Sequence, residues 1–191
     1  MAENVCIIDD EKWMSRAVGI AAEALARGEF PVGCVLVSGG LVVGEGMRRN
    51  SKGDGLNELD HAEILALKEL MKGGGAASAD ASLTAYSTLE PCLMCLGALM
   101  LNGVKRIVFA YEDVMGGACG LDFSRYFSAI PHPAAVDGHV FYNGYLYKKG
   151  AVEIIGGVKR SESLYLFKSF FADPPNSYWR ASLLADYTLA A

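Results

Sequence analysis

Two short motifs in this chain carry side chains that could hold a metal ion. The first has the pattern His-x-Glu at residues 61–63, and the second has the pattern Pro-Cys-x-x-Cys at residues 91–95. Each motif stands at the start of a predicted helix, and proline is well tolerated in a first helical turn. In the first turn of the second helix, the two cysteines place both sulfurs on one side, and the unpaired backbone N–H groups of that turn favour thiolates.

These motifs together supply one imidazole, from His61, and two thiolates, from Cys92 and Cys95. Three protein ligands of this kind leave the fourth tetrahedral position of a catalytic zinc site open for water. Glu63 stands two residues after the imidazole without being needed as a ligand, which indicates proton transfer. We therefore predict one zinc ion per chain, held by these three ligands, with Glu63 as the catalytic residue.

Each feature also has a plainer interpretation. Taken singly, the thiols can be explained by burial or by a redox pair, His61 by a helix cap or a hydrogen bond, and Glu63 by the helix dipole. Taken together with the spacing of the two motifs and with Pro91, the features make these interpretations improbable. A closed structural zinc site is another alternative, and it requires a fourth ligand. The residues that could supply that ligand are Cys34, Cys119, His132 and His139.

The combined motifs resemble those of the cytidine deaminase superfamily, whose zinc enzymes act on nucleobases. The similarity covers residues 13–171 and is greatest to the branch that holds tRNA adenosine deaminases, guanine deaminases and fungal-type cytosine deaminases. Other matching segments are Gly28-Glu29-Phe30-Pro31-Val32-Gly33, Gly44-Glu45-Gly46, Thr88-Leu89-Glu90 and Gly117-Ala118-Cys119-Gly120. The resemblance implies the same zinc ligands, a homodimer, and a base pocket near Pro31, Val32, Asn50 and the backbone of Ala62.

The activity implied by this resemblance is hydrolytic deamination, in which an amino-substituted nucleobase or nucleoside becomes the oxo product and ammonia leaves. Zinc lowers the pKa of its bound water from about 15.7 to about 7. Glu63 then moves protons from the water to a ring nitrogen and to the leaving ammonia. Wobble adenosine deamination in tRNA is the alternative activity, and a non-catalytic zinc-stabilised interaction domain is the alternative outside enzymes.

Several features favour a small molecule over tRNA. The net charge of −5 lacks the positive excess of nucleic-acid binders. Relatives that act on tRNA have a base-binding asparagine in the loop after Gly-x-Gly, whereas this chain has Arg48 there and Asn50 two residues further on. Residues 57–60 also differ from the Asp-Pro-Thr-Ala segment of those relatives. Their basic C-terminal end is also absent. We expect Arg48 and Arg49 in a solvated loop, and the alternative is that they contact a phosphate or a carbonyl group.

The order of predicted elements defines the fold that must position these residues. A chain of 191 residues with 52% hydrophobic content is long enough and apolar enough for one domain. Its β-β-α-β-α-β order predicts a three-layer α/β/α fold, with a five-stranded mixed sheet and helices on both faces. The first helix is expected from residues 9 and 10, and the second strand over 41–43 with a loop over 44–60.

The chain is expected to divide into a deaminase domain, residues 1–171, and a C-terminal tail, residues 172–191. Within the domain, residues 131–150 form an insertion without a confident element. The tail is predicted to hold a helix capped by Asn176 or Ser177, with Tyr178 and Trp179 as a candidate lid over the active site. No apolar run is long enough to span a membrane, and the acidic N-terminus does not fit a secretory signal, so we expect a cytoplasmic protein.

Overall fold

A computed structural model describes residues 2–73, 82–121, 135–136, 139–140 and 152–191. The helices are α1 (Ala2–Ala26), α2 (Ala62–Lys72), α3 (Leu93–Leu101), α4 (Arg160–Ala172) and α5 (Leu183–Ala190). The strands are β1 (Gly33–Ser38), β2 (Leu41–Met47), β3 (Leu83–Leu89), β4 (Val104–Tyr111), β5 (Ala135–Val136), β6 (His139–Val140) and β7 (Glu153–Gly156).

The central sheet has the strand order β2-β1-β3-β4-β7. Strand β1 pairs antiparallel with β2 and β3, whereas β4 pairs parallel with β3 and β7. Alternate residues of β1 serve opposite faces: Val35 and Val37 pack against α1, while Cys34 and Leu36 pack with α2 and α3. The predicted three-layer fold with a five-stranded mixed sheet is thus confirmed.

Strand β2 is longer than predicted, because residues 44–47 continue it instead of opening the loop. Two glycines on this strand allow α2 to lie directly on its backbone. A Cβ atom at Gly46 would stand 1.9 Å from the carbonyl oxygen of Ala62, and one at Gly44 would stand 2.5 Å from that of Ala66. No other residue type fits these positions without separating helix from strand, so the glycines position the start of α2.

Helix α1 begins earlier than predicted, at Ala2. The expected start at residues 9 and 10 is therefore wrong, since Asp10 lies inside the helix and has another role. Its carboxylate accepts hydrogen bonds from Arg106 at 2.6 and 2.7 Å and from the Tyr86 hydroxyl at 2.9 Å. These bonds attach α1 to β3 and β4.

The C-terminal tail contributes to the hydrophobic core. Helix α5 is capped by the Ser182 hydroxyl, which accepts a hydrogen bond from the N–H of Ala185. The predicted cap at residue 176 or 177 is wrong, because Trp179 has a left-handed φ of 54° that interrupts a right-handed helix. Leu184 and Ala185 are buried in the same cluster as α2 and α3.

Of the predicted insertion, the structure describes the antiparallel pair β5 and β6, and the rest of residues 131–150 lies outside the described part of the chain. Across the described residues, no helix combines the length and the apolar character needed to span a membrane.

Candidate active site

The N-termini of α2 and α3 converge on one point. His61 is the N-cap of α2, and Cys92 is the N-cap of α3, which follows β3 after a short connection. The Nδ1 atom of His61 lies 3.6 Å from Cys92 Sγ and 3.4 Å from Cys95 Sγ. The structure thus brings the three predicted zinc ligands together.

The donor geometry fits zinc. With a Zn–S distance of about 2.3 Å and a Zn–N distance of about 2.05 Å, tetrahedral angles place nitrogen and sulfur about 3.6 Å apart. The observed separations of 3.6 and 3.4 Å are close to that value. Among the described side chains, no further histidine, cysteine or carboxylate belongs to this group.

Four residues were candidates for the fourth ligand of a closed site. Two of them lie apart from the three zinc ligands, and the side chains of the other two lie outside the described residues. Cys34 and Cys119 are free thiols outside the group of ligands. The side chains of His132 and His139 lie outside the described residues. Three ligands therefore come from the described chain, as in the open arrangement.

The pKa values of the two thiols are shifted in opposite directions. A hydrogen bond from Cys95, helped by His61, lowers the pKa of Cys92 to about 4. The same hydrogen bond, together with burial, raises the pKa of Cys95. Cys92 is consequently a thiolate near neutral pH, the form that binds a metal ion.

Glu63 is almost completely buried, with 3% of its surface exposed. One carboxylate oxygen accepts a hydrogen bond from the Ser87 hydroxyl at 3.1 Å, and the other lies 3.4 Å from Cys95 Sγ. Burial raises the pKa of Glu63 above its usual value, and a positioned carboxyl group is one of the side chains that serve as general acids and bases. Ser87 had no signal in the sequence, because it is one more small residue in an apolar strand.

A cavity of about 370 Å³ opens beside these residues. Its lining residues include Phe30, Val32, Glu58, His61, Ala62, Glu63, Leu89, Cys92, Tyr178 and Trp179. Of the predicted substrate contacts, Val32 and Ala62 are therefore at the cavity. Pro31 is buried outside the lining, and Asn50 is exposed, with its amide donating to Asp60 at 2.7 Å.

Arg48 also lines the cavity, and the expectation of a solvated position for it is wrong. Its side chain is 2% exposed, whereas Arg49 is exposed. The guanidinium donates to the carbonyl oxygens of Arg49 and Asn57, both at 2.7 Å, and to Glu58 at 3.1 Å. Hydrogen-bond acceptors along residues 49–58 account for this burial, and sequence alone does not show how that loop folds back.

The cavity wall carries several carboxylates besides Glu63. Glu58, Glu90 and Asp113 all line it, and among the lining residues that the structure describes Arg48 is the one Arg or Lys. The Arg48 charge is compensated by Glu58 at 3.1 Å. The described wall therefore leaves no uncompensated cation for a phosphate.

Comparison with known proteins gives a consistent result. The family model of the cytidine and deoxycytidylate deaminase zinc-binding region matches residues 7–111. The tRNA-specific adenosine deaminase 2 of Xenopus laevis is 31% identical over 173 residues, which is 87% of this chain and 89% of that protein. The tRNA-specific adenosine deaminase of Bacillus subtilis is 37% identical over 111 residues, which is 58% of this chain and 67% of that protein.

Two solved structures of deaminases have a fold similar to that of this chain. A structure from a study of A-to-I editing by tRNA:A34 deaminases superimposes with a TM-score of 0.59 at 26% identity, and the match covers 81% of this chain and 98% of that one. The guanine deaminase of Nitrosomonas europaea superimposes with a TM-score of 0.61 at 23% identity, and the match covers 85% of both chains. This second likeness extends to the fold alone.

Proposed function

The chain belongs to the family of cytidine and deoxycytidylate deaminases and is a zinc-dependent hydrolase, and we propose that its own substrate is a free amino-substituted nucleobase or nucleoside. The family match and the convergence of His61, Cys92 and Cys95 support zinc-dependent deamination. A zinc-binding interaction domain without activity is disfavoured, because structural sites use four protein ligands.

The observation that carries the choice of a free substrate is the charge of the cavity wall. Glu58 and Arg48 compensate each other's charge, which leaves Glu90 and Asp113 as carboxylates without a cation among the described lining residues. Affinity for nucleic acid depends on Lys and Arg that neutralise phosphates, and a carboxylate-lined site opposes it. A neutral heterocycle carries no such penalty, and the apolar side chains of Phe30, Val32 and Leu89 can contact its ring.

In the proposed reaction the amino group of the ring leaves as ammonia and a water oxygen replaces it. Zinc, when bound by His61, Cys92 and Cys95, supplies the Lewis acidity that makes a water molecule nucleophilic near neutral pH. Glu63 accepts a proton from that water and passes it to the ring nitrogen beside the reacting carbon. It then takes the second proton from the hydroxyl group that the water has added to the ring carbon and gives it to the amino group, so that the C=O bond forms as the C–N bond breaks and ammonia leaves. Ser87 orients the Glu63 carboxylate at 3.1 Å during these transfers.

A second candidate substrate, adenosine in tRNA, is favoured by the sequence relatives. The Xenopus laevis protein named as a tRNA-specific adenosine deaminase is 31% identical over 87% of this chain. The guanine deaminase of Nitrosomonas europaea shares the fold of this chain, and at 23% identity it does not bear on the choice of substrate.

Ammonia release from the zinc-loaded protein distinguishes the two substrates. We expect turnover of at least one compound in a panel of free bases and nucleosides, and no inosine in tRNA transcripts, because the cavity wall repels the phosphate backbone. Glu63→Gln protein is the control for contaminating activity. Inosine formation in tRNA, with a salt-sensitive complex and no turnover of the panel, would overturn the proposal in favour of the second candidate.

We also propose that Tyr178 and Trp179 form a lid over the cavity. Both residues line it, and the Tyr178 ring packs against Phe30 with centroids 5.1 Å apart. The Trp179 ring is 45% exposed and packs edge-on against Tyr178, so it retains a face for a substrate ring.

Replacing this indole tests the lid. Stacking on an aromatic side chain contributes about 1–3 kcal/mol per base, so Trp179→Ala should raise KM by about 5- to 160-fold. Tyr165→Ala, on the exposed side of α4, is the matched control and should leave KM unchanged. Steady-state kinetics measures both, and equal KM values for the two variants would contradict a role of Trp179 in substrate binding.

We further propose that the protein works in a reducing compartment such as the cytoplasm, where zinc-binding thiols stay reduced.

We also propose that the chain forms a homodimer through α3. Helix α3 is apolar on every side, and yet Leu93 and Leu101 are 57% and 53% exposed in the single chain. A helix of this composition is normally covered, and a second copy would cover it. Sedimentation should give a dimer for the wild type and a monomer for Leu101→Glu, and a monomeric wild type would contradict the proposal.

A further inference from the structure

The Glu58 carboxylate connects the metal ligand His61 with the lid. Its Oε2 atom lies 3.5 Å from His61 Nε2, the ring nitrogen that faces away from the two sulfurs. The same oxygen accepts hydrogen bonds from the Tyr178 hydroxyl at 2.8 Å and from Arg48 at 3.1 Å. Two hydrogen-bond donors and the outer ring nitrogen of His61 thus meet at one oxygen atom.

The orientation of the His61 imidazole decides which of its two ring nitrogens carries the proton. Nδ1 faces Cys92 and Cys95, so its lone pair must be free to bind zinc. The ring proton must then be on Nε2, where it can be donated to Glu58. A carboxylate that accepts this proton fixes the tautomer and the ring orientation, and it increases the basicity of the ligand.

Glu58 itself is held by groups that do not touch the metal ligands. Arg48 is buried and is anchored by the carbonyl oxygens of Arg49 and Asn57. Tyr178 is anchored by Phe30 and lies against the guanidinium of Arg48, 5.5 Å from its ring centroid. These contacts restrict a carboxylate that would otherwise move freely, because the Glu58 side chain is 49% exposed.

We propose that Glu58 is a positioning residue for the zinc ligand His61, and that Tyr178 and Arg48 hold it in place. Through this carboxylate the lid stabilises the metal site as well as closing the cavity. The inference concerns zinc binding and does not depend on which substrate the enzyme uses.

The test measures zinc affinity, by competition with a chromogenic chelator, for the wild type, Glu58→Ala, Glu58→Gln and Tyr178→Phe. Loss of an outer partner of a metal ligand costs about 10- to 100-fold in metal affinity. We expect a loss in that range for Glu58→Ala, and smaller losses for Glu58→Gln, which keeps an acceptor, and for Tyr178→Phe, which loses only a hydroxyl. Glu23→Gln and Tyr165→Phe, both at exposed positions, are the matched controls and should bind zinc like the wild type.

A second measurement separates positioning from a general loss of stability. In ¹⁵N-edited spectra of the zinc-loaded protein, the His61 imidazole should carry its proton on Nε2, and Glu58→Gln should shift that resonance while the melting temperature of the metal-free protein stays the same. If Glu58→Ala does not fold, Glu58→Gln and Tyr178→Phe decide the matter. Zinc affinities within twofold of the wild type, together with an unchanged Nε2 resonance, would overturn the proposal.

Discussion

Glu63→Gln protein should keep its zinc and lose nearly all turnover. The amide is close in size to the carboxyl group and can keep the hydrogen bond with Ser87, so the site stays folded. It cannot accept or deliver a proton, however, and groups of this kind contribute about 10²- to 10⁴-fold to rate. Because one residue serves several transfers, we expect kcat to fall at least that far.

Two measurements on the same sample establish this result, namely metal content and the initial rate of ammonia release. Glu162→Gln, on the exposed surface of α4, is the matched control and should retain both zinc and activity. Normal turnover of Glu63→Gln at full zinc content would show that another group moves the proton.

Cys92→Ala should abolish stable zinc binding. It removes one of three protein ligands and the thiolate whose pKa is lowered to about 4. The loss of affinity should exceed the roughly 10- to 100-fold that removal of an outer partner costs, so it should also exceed that of Glu58→Ala. Cys92 is a partly exposed residue at the start of α3 and lies outside the hydrophobic core, and the fold should therefore persist.

The matched control for this change is Cys119→Ala, because Cys119 is a partly exposed free thiol outside the group of ligands. Metal analysis of the purified proteins should find about one zinc per chain in the wild type and the control, and nearly none in Cys92→Ala. Equal zinc in all three proteins would remove Cys92 from the site.

The metal ligands were predictable because their spacing follows from local structure. His61, Cys92 and Cys95 lie at the first turns of two helices, and helix starts can be recognised from proline, capping residues and apolar periodicity. The core strands were predictable for a similar reason, since they are short apolar runs between glycines and helices.

Residues whose roles depend on long-range contacts could not be predicted. Arg48 is buried only because the loop over 49–58 folds back to offer it carbonyl oxygens. Tyr178 reaches Glu58 across 120 positions of sequence, and no local pattern encodes such a pair. The extension of β2 to Met47 was not predicted, because glycines are typical of loops. In this strand they allow α2 to lie close to the backbone.

The most direct test of zinc-dependent hydrolytic deamination is a reaction in ¹⁸O-labelled water, followed by mass spectrometry of the product and by an ammonia assay. Zinc-loaded protein should release one ammonia per product molecule, and each product should carry one oxygen atom from the solvent. Chelator-stripped protein should be inactive until zinc is restored. Product without solvent oxygen, or equal activity with and without the metal ion, would contradict the account.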